Sequence, residues 1–155
     1  MTVNIRRAEI GDQEQILDLQ RKCFKEPWSE TVCQEALQNP IYFNLVACIE
    51  QKLVACLICV LITSEAEIQS LAVLEQYRRQ GIASLLLERI IQYLHNKDIQ
   101  DIFLEVRQSN LSAIQLYQHF GFVQQGLRKD YYRKPIESAL LMGYQISKKC
   151  NKLPV

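Results

Sequence analysis

Two hydrophobic periods share the chain and lay out its elements. From Ile82 to Leu94, apolar residues recur at Ile82, Leu85, Leu86, Ile90, Tyr93 and Leu94, the three-to-four spacing of a helix with one buried face. In "DIFLEV" (101–106) the period drops to two: Ile102, Leu104 and Val106 share one strand face and Phe103 and Glu105 the other. "LVACLICVLI" (53–62) is almost wholly apolar and reads as a buried strand. Around these anchors the pattern predicts a strand over 2–8. A helix follows over 13–24, capped by Asp12 with Gln15 placed for a capping box. Ser29 caps a second helix, which Asn39–Pro40 ends. Tyr42–Ile49 and Leu53–Ile62 form two strands around the turn "EQK", and Glu67–Val73 forms a third. The helix of Ile82–Leu94, the strand 101–106 and a helix capped by Asn110 come next. Gly121 fits the left-handed position that closes this last helix, with Phe122 packing back, and strands at Phe122–Gln125 and Ala139–Ile146 finish the chain. Tight turns join the early strands and helices the later ones, so a mixed α/β sheet covered by helices is expected.

One helix breaks the capping rule. The others start at Asp12, Ser29 and Asn110, but the one at Gly81 is preceded by "YRRQ", which offers no capping side chain. Arg78 and Arg79 instead stand at the positive end of the helix dipole. Water can solvate such an end while the arginines point away. An anion such as a phosphate or pyrophosphate would satisfy the free N–H groups and balance the arginines together, and the small residues Gly81 and Ala83 would let it approach. Neither GxGxxG nor GxxxxGK[ST] is present, so Rossmann and P-loop nucleotide sites are not indicated.

Composition narrows the class. The 155 residues are 48% hydrophobic and 23% charged, with net charge +1, which predicts one domain with a real core and no strong pull toward nucleic acid or a membrane surface. No apolar run is long enough to span a bilayer, and "MTVNIRRAEIGDQ" has no signal core, so a cytoplasmic protein is expected. The six cysteines are expected to be free thiols. Cys56 and Cys59 form a CxxC that could be a redox pair or half a metal site, but no second CxxC or His pair completes a zinc set.

"RRQGIA" (78–83) resembles the R/Q-x-x-G-x-G/A signature of the GCN5-related N-acetyltransferases. "LAVLEQY" precedes it and "LEVRQSNLSAIQLYQHFGF" follows it in family order. This last string, "KEPWS" and "RKDYYRKP" are similar to the RimI-type branch. The resemblance covers about residues 3 to 147 and implies a single acetyltransferase domain (1–147) followed by a basic tail (148–155). It implies a mixed, twisted sheet of about seven strands flanked by about four helices, splayed between the fourth and fifth strands. It also implies acetyl-CoA as co-substrate, no metal, and transfer to the N-terminal alanine of ribosomal small-subunit protein eighteen. The partner expected is then the N-terminal peptide of a ribosomal protein, with no direct nucleic-acid binding. Oligomeric state stays open, a monomer being the simplest expectation.

By this resemblance Leu71, Ala72 and Val73 lie beside the acetyl and pantetheine groups, the strand's backbone pairing with the pantetheine amides. Arg79, Gln80, Gly81, Ile82, Ala83 and Ser84 line the pyrophosphate, and Asn110 both caps its helix and touches the cofactor. Relatives often carry Asp-Pro where Leu74–Glu75 stands, so the loop's path is its own. Glu105 matches the general base and Tyr117 the general acid. Trp28, Tyr131 and Tyr132 match the walls of a peptide groove; Glu35, Glu65 and Glu67 either favour a basic peptide or are simply solvated. Three other readings stay open: a lysine or small-amine acetyltransferase, a non-catalytic acyl-CoA sensor, and a thiol or metal protein built on Cys56 and Cys59.

Overall fold

The computed structural model describes residues 2–146; the tail expected at 148–155 lies outside the described residues. In chain order the elements are β1 (Asn4–Arg7), α1 (Gln13–Cys23), α2 (Glu30–Gln38), β2 (Leu45–Ile49), β3 (Lys52–Ile62) and β4 (Glu65–Val73). There follow α3 (Ile82–His95), β5 (Asp101–Arg107), α4 (Leu111–His119), β6 (Val123–Arg133) and β7 (Ile136–Gln145). The strands form one seven-stranded sheet in the order β1-β2-β3-β4-β5-β7-β6. Only β4 and β5, joined through α3, pair in parallel; every other neighbour is antiparallel. This is the mixed α/β sheet that the turn and helix spacing predicts.

β3 is buried at every position from Leu53 to Val60, so helices must cover both of its faces. The core gathers Ile16, Leu17 and Leu19 of α1 with Ile82, Leu86, Leu87, Ile90 and Leu94 of α3 around it. The face of α3 differs from the expected one at two positions, where Leu87 takes the place of Leu85. Leu85 is 43% exposed and Leu87 is fully buried, because at 100° per residue the mean direction of Ile82, Leu86, Ile90 and Leu94 lies nearer Leu87. Tyr93 is half-buried and stacks on Phe43, centroids 3.5 Å apart.

Three local signals are borne out, at Ser29, Asn110 and Gly121. Ser29 accepts from Val32 N–H at 3.2 Å and Asn110 from Ala113 N–H at 3.3 Å. Gly121 adopts φ +102° and Phe122 N–H closes back on the Tyr117 carbonyl at 3.0 Å. The Asp12 cap is different. Asp12 starts α1 in helical conformation without capping it, and its carboxylate instead takes both Arg6 nitrogens at 2.8 Å and the Glu9 N–H at 2.7 Å. A bidentate ion pair outcompetes a neutral cap. Gln15 leaves the expected capping box as well and accepts from Leu53 N–H at 3.1 Å.

Several strands have other bounds than expected: β4 starts earlier, at Glu65, β7 at Ile136 rather than Ala139, and β2 and β6 differ for identifiable reasons. β2 begins at Leu45, with Tyr42 making only an isolated bridge to Val60. Buried Asn44 interrupts the ladder there: its Oδ1 accepts from Cys59 N–H at 3.2 Å and its Nδ2 donates to the Ala36 carbonyl at 2.7 Å. β6 runs on to Arg133, taking in the "DYYR" of the expected groove wall, with register slips between Gln124 and Gly126 and between Arg128 and Tyr132. Cys56 and Cys59 lie buried in β3, and burial pushes both thiols up, Cys59 to about 12. Both side chains are wholly enclosed in the core, the setting of an inert structural cysteine. Among the described residues no helix is long and apolar enough to cross a membrane, and no group of three or more His, Cys, Asp and Glu is placed to hold a metal.

The Arg6–Asp12 pair ties β1 to the start of α1, and the hydrogen bond from Arg6 holds the Asp12 carboxyl below its usual range. Asp12→Asn is expected to cost about 2 kcal/mol in chemical denaturation at pH 7. A carboxyl held low stabilises the fold above its unfolded pKa and stops doing so as pH falls through the folded one. The native-minus-variant gap should therefore be full at pH 6 and close below about pH 3.8.

Candidate active site

The site opens where β4 and β5 stop pairing. Their ladder runs from Glu65↔Asp101 to Ile68↔Leu104 and ends. Each strand stays paired on its other side, β4 with β3 up to Val73 and β5 with β7 up to Arg107. Leu74 N–H donates to the Val54 carbonyl at 2.9 Å, so antiparallel alternation turns the peptide groups of Leu71 and Val73 away from β3 and toward the gap. Leu71 and Val73 are half-buried, whereas the Ala72 side chain is in the core. The Val73 carbonyl is already engaged, accepting from Arg78 Nε at 2.9 Å and Cys23 Sγ at 3.5 Å. The Leu71 N–H and C=O and the Val73 N–H are the groups this edge offers an extended amide ligand.

Past Val73 the chain makes one tight turn (Glu75–Tyr77) and enters α3 through two left-handed residues, Arg79 at φ +61° and Gly81 at φ +80°. No side chain caps Gly81. The first intrahelical bond is Leu85 N–H to the Gly81 carbonyl at 3.0 Å, so the N–H groups of Ile82, Ala83 and Ser84 have no helical acceptor. Arg79, Gln80 and Gly81 are exposed, Ala83 and Ser84 half-exposed, and the Ile82 side chain is buried. Among the described residues neither Arg78 nor Arg79 makes an ion pair. Free donors, a left-handed lead-in and unpaired cations fit a diphosphate.

A cleft of about 960 Å³ lies along the gap. It brings together Leu71, Glu105, Asn110, Tyr117, Trp28, Tyr131 and Tyr132 from the predicted set, while Arg79–Ser84 form their own group at the start of α3. Glu105 shares its strand face with Phe103 and Arg107; its side chain is 17% exposed and its Oε1 lies 3.0 Å from Arg128 Nε. Tyr117 has a buried ring set edge-on to Phe122, centroids 5.7 Å apart. No fully buried polar side-chain atom lacks a partner among the described residues, and no hydrogen bond reaches the Tyr117 hydroxyl, so that hydroxyl meets solvent in the cleft. Burial, with a smaller push from Tyr132, raises the phenol well above its ordinary pKa and keeps it protonated. Asn110 spends Oδ1 on its cap, and its Nδ2 has no protein partner among the described residues.

The groove walls are joined by residues that the chain pattern does not reveal. Arg107 donates to the carbonyls of Lys134 and Pro135, each at 3.1 Å, and to Glu137 at 3.3 Å. Its guanidinium sits 4.2 Å from the Tyr132 ring centroid and 3.7 Å from Glu26. Glu26 in turn accepts from Arg133 N–H at 3.1 Å, linking the α1–α2 loop that carries Trp28 to the β6–β7 hairpin that carries the two tyrosines. Burial first and the Glu105 charge next push the Tyr132 phenol up to about 12. The one available signal was that Arg107 stands two residues after Glu105 on the same strand face. Glu67 also lines the cleft, whereas Glu35 accepts from Asn39 Nδ2 at 2.7 Å outside it and Glu65 does not line it.

Known proteins are similar to this chain in sequence and fold. The chain is 33% identical over 142 residues to the [ribosomal protein bS18]-alanine N-acetyltransferase of Haemophilus influenzae, covering 90% of this chain and 96% of the relative. It is 32% identical over 145 residues to that of Escherichia coli K12, covering 92% and 97%. The crystal structure of the Escherichia coli ribosomal-protein-S18-alanine N-acetyltransferase superposes with a TM-score of 0.90 at 30% identity, over 99% of this chain and 100% of that one. The acetyltransferase (GNAT) family model matches residues 13–122, which takes in the parted strands, the uncapped helix and both Glu105 and Tyr117. On that match, and with full-length relatives at this identity, the chain belongs to the acetyltransferase (GNAT) family.

Proposed function

We propose that the protein transfers the acetyl group of acetyl-CoA to the N-terminal α-amine of a protein, its substrate being the N-terminal alanine of ribosomal protein bS18 in the cytoplasm. The observation that carries this reading is the meeting of Glu105 and the Tyr117 hydroxyl in the cleft opened by the parted strands. The substrate's identity is supported by the activity for which the full-length relatives are named.

The chemistry asks little of the protein. An α-amine has a pKa of about 8, so roughly a tenth is neutral at pH 7 and a modest base suffices. Glu105 takes the proton as the nitrogen bonds to the thioester carbonyl carbon. The carbonyl electrons return, the C–S bond breaks, and its electron pair leaves on sulfur. Thiols titrate at about 8.5, well below a phenol raised from about 10. Full proton transfer from Tyr117 to the thiolate is therefore uphill. Its part is to donate a hydrogen bond as negative charge develops on sulfur, with solvent delivering the final proton. The free edge of β4 and the donors at Ile82, Ala83 and Ser84 hold the pantetheine and diphosphate arms, and Asn110 Nδ2 adds a donor. Trp28, Tyr131 and Tyr132 wall an extended peptide terminus.

Mass spectrometry of Ala-, Ser- and Met-starting peptides and an internal-lysine peptide, each incubated with enzyme and acetyl-CoA, tests the assignment; acetylation of the lysine peptide alone refutes it. Glu105→Gln should lower kcat about a hundredfold and leave the acetyl-CoA Kd within about twofold. Tyr117→Phe should lower kcat by about tenfold to a hundredfold without moving the pH profile below about pH 9. At Gly81 an added Cβ meets nothing within 4 Å, so the cost of Gly81→Ala is the strain of φ +80°. That strain should cost about 1 kcal/mol of stability, and calorimetry should find acetyl-CoA binding weakened about tenfold with the peptide KM in place.

A further inference from the structure

Four carboxylates line the cleft, at Glu26, Glu67, Glu105 and Glu137. Three are engaged. Glu26 binds Arg133 N–H and faces Arg107, Glu137 takes Ser109 N–H at 2.6 Å and Arg107, and Glu105 takes Arg128. For Glu67 no hydrogen-bond or ion-pair partner is found among the described residues. It pairs in register with Phe103, so Glu105 stands two residues further along the same face of the sheet. The ionisable groups whose charge couples to Glu67 are Tyr42 and Cys59 on the β3 side, Glu105 on β5, and Arg128 and Tyr131 on β6. Burial first and the Glu105 charge next hold the Glu67 carboxyl above its ordinary range, and Arg128 draws it back. Arg128 is thus the cation that serves both carboxylates.

That cation is loosely held. Arg128 is 59% exposed, on an edge strand whose register slips between Arg128 and Tyr132, beside Asp130 at φ +53°. Its other contact is the Tyr131 ring, 5.5 Å away. An amine about to lose its proton must reach Glu105, whose Oε1 Arg128 occupies. We propose that Glu67 and Glu105 together seat the substrate's α-ammonium, and that Arg128 fills this seat until the substrate replaces it. The inference rests on the N-terminal acetyltransferase reading above and adds Glu67 as a substrate-binding residue. Replacing one cation by another keeps the local charge unchanged, and an exposed guanidinium returns to water at little cost. The paired carboxylates also select against neutral termini, since an uncharged end would leave their repulsion unbalanced.

Steady-state kinetics with an Ala-starting peptide test the proposal. Turnover by the native enzyme tests the parent reading, and the variants' peptide KM tests this one. Glu67→Gln should raise peptide KM about tenfold and leave acetyl-CoA KM within about twofold. Glu67→Asp, which keeps the charge, should recover most of that loss. Arg128→Ala should lower peptide KM severalfold, because the competing cation is gone. A peptide KM that Glu67→Gln leaves in place, that Glu67→Asp fails to restore, or that Arg128→Ala does not lower overturns the proposal.

Discussion

The molecule depends on two parallel strands that cannot stay together. β4 and β5 share only four register pairs before they part, while β3 and β7 continue to hold them from outside. Unpaired backbone in a protein interior is costly, so such a gap persists only where something else satisfies the exposed groups. Here Arg78 and Cys23 already reach round to the Val73 carbonyl, and the remaining groups face a cleft wide enough for an extended ligand. The fold thereby leaves, as an interruption of its own hydrogen bonding, an edge that an extended amide ligand would complete.

The side chains around the gap follow from the pleat. On β5, Ile102, Leu104 and Val106 anchor the strand in the core, which frees Glu105 and Arg107 to face the other way. These two act as opposite poles. Glu105 draws the edge strand inward through Arg128, and Arg107 gathers the β6–β7 turn, Glu137 and the α1–α2 loop. Under the proposed reading, the base and the brace of the cleft wall are thus neighbouring positions on one strand face, with Tyr117 approaching from α4 on a ring set against Phe122.

What could be read from the chain was what is local in it. Ser29, Asn110 and Gly121 act within a few residues of themselves, and all three do in the fold what their types imply. Asp12 has the same local pattern, yet Arg6 claims it, a partner that only the packing of β1 beside α1 supplies. β6 was read too short because an exposed edge strand buries almost nothing on either face, and so writes no period. The point where β4 and β5 part was available only through the family resemblance, since both strands keep their alternation past it. Most of the site's named residues came from the same resemblance, whereas the anion-ready start of α3 was legible in its missing cap. The Arg107 network came from neither, because it joins positions 26, 107, 133 and 137, which no window of sequence contains together.

β6 has a second aspect. It is eleven residues long and lies at the rim of the sheet, where no further strand pairs with its outer side among the described residues, and Val123, Leu127 and Tyr131 are exposed along it. A flat rim of that length is a template for the strand of a neighbouring molecule. Arg128, Lys129 and Arg133 repel such a neighbour, and the left-handed Asp130 bends the strand out of line. Of these cations Arg133 also lines the cleft, so charge that borders the opening and the bend beside it also keep the sheet from growing by accretion, and neutralising this hairpin would bring self-association with it.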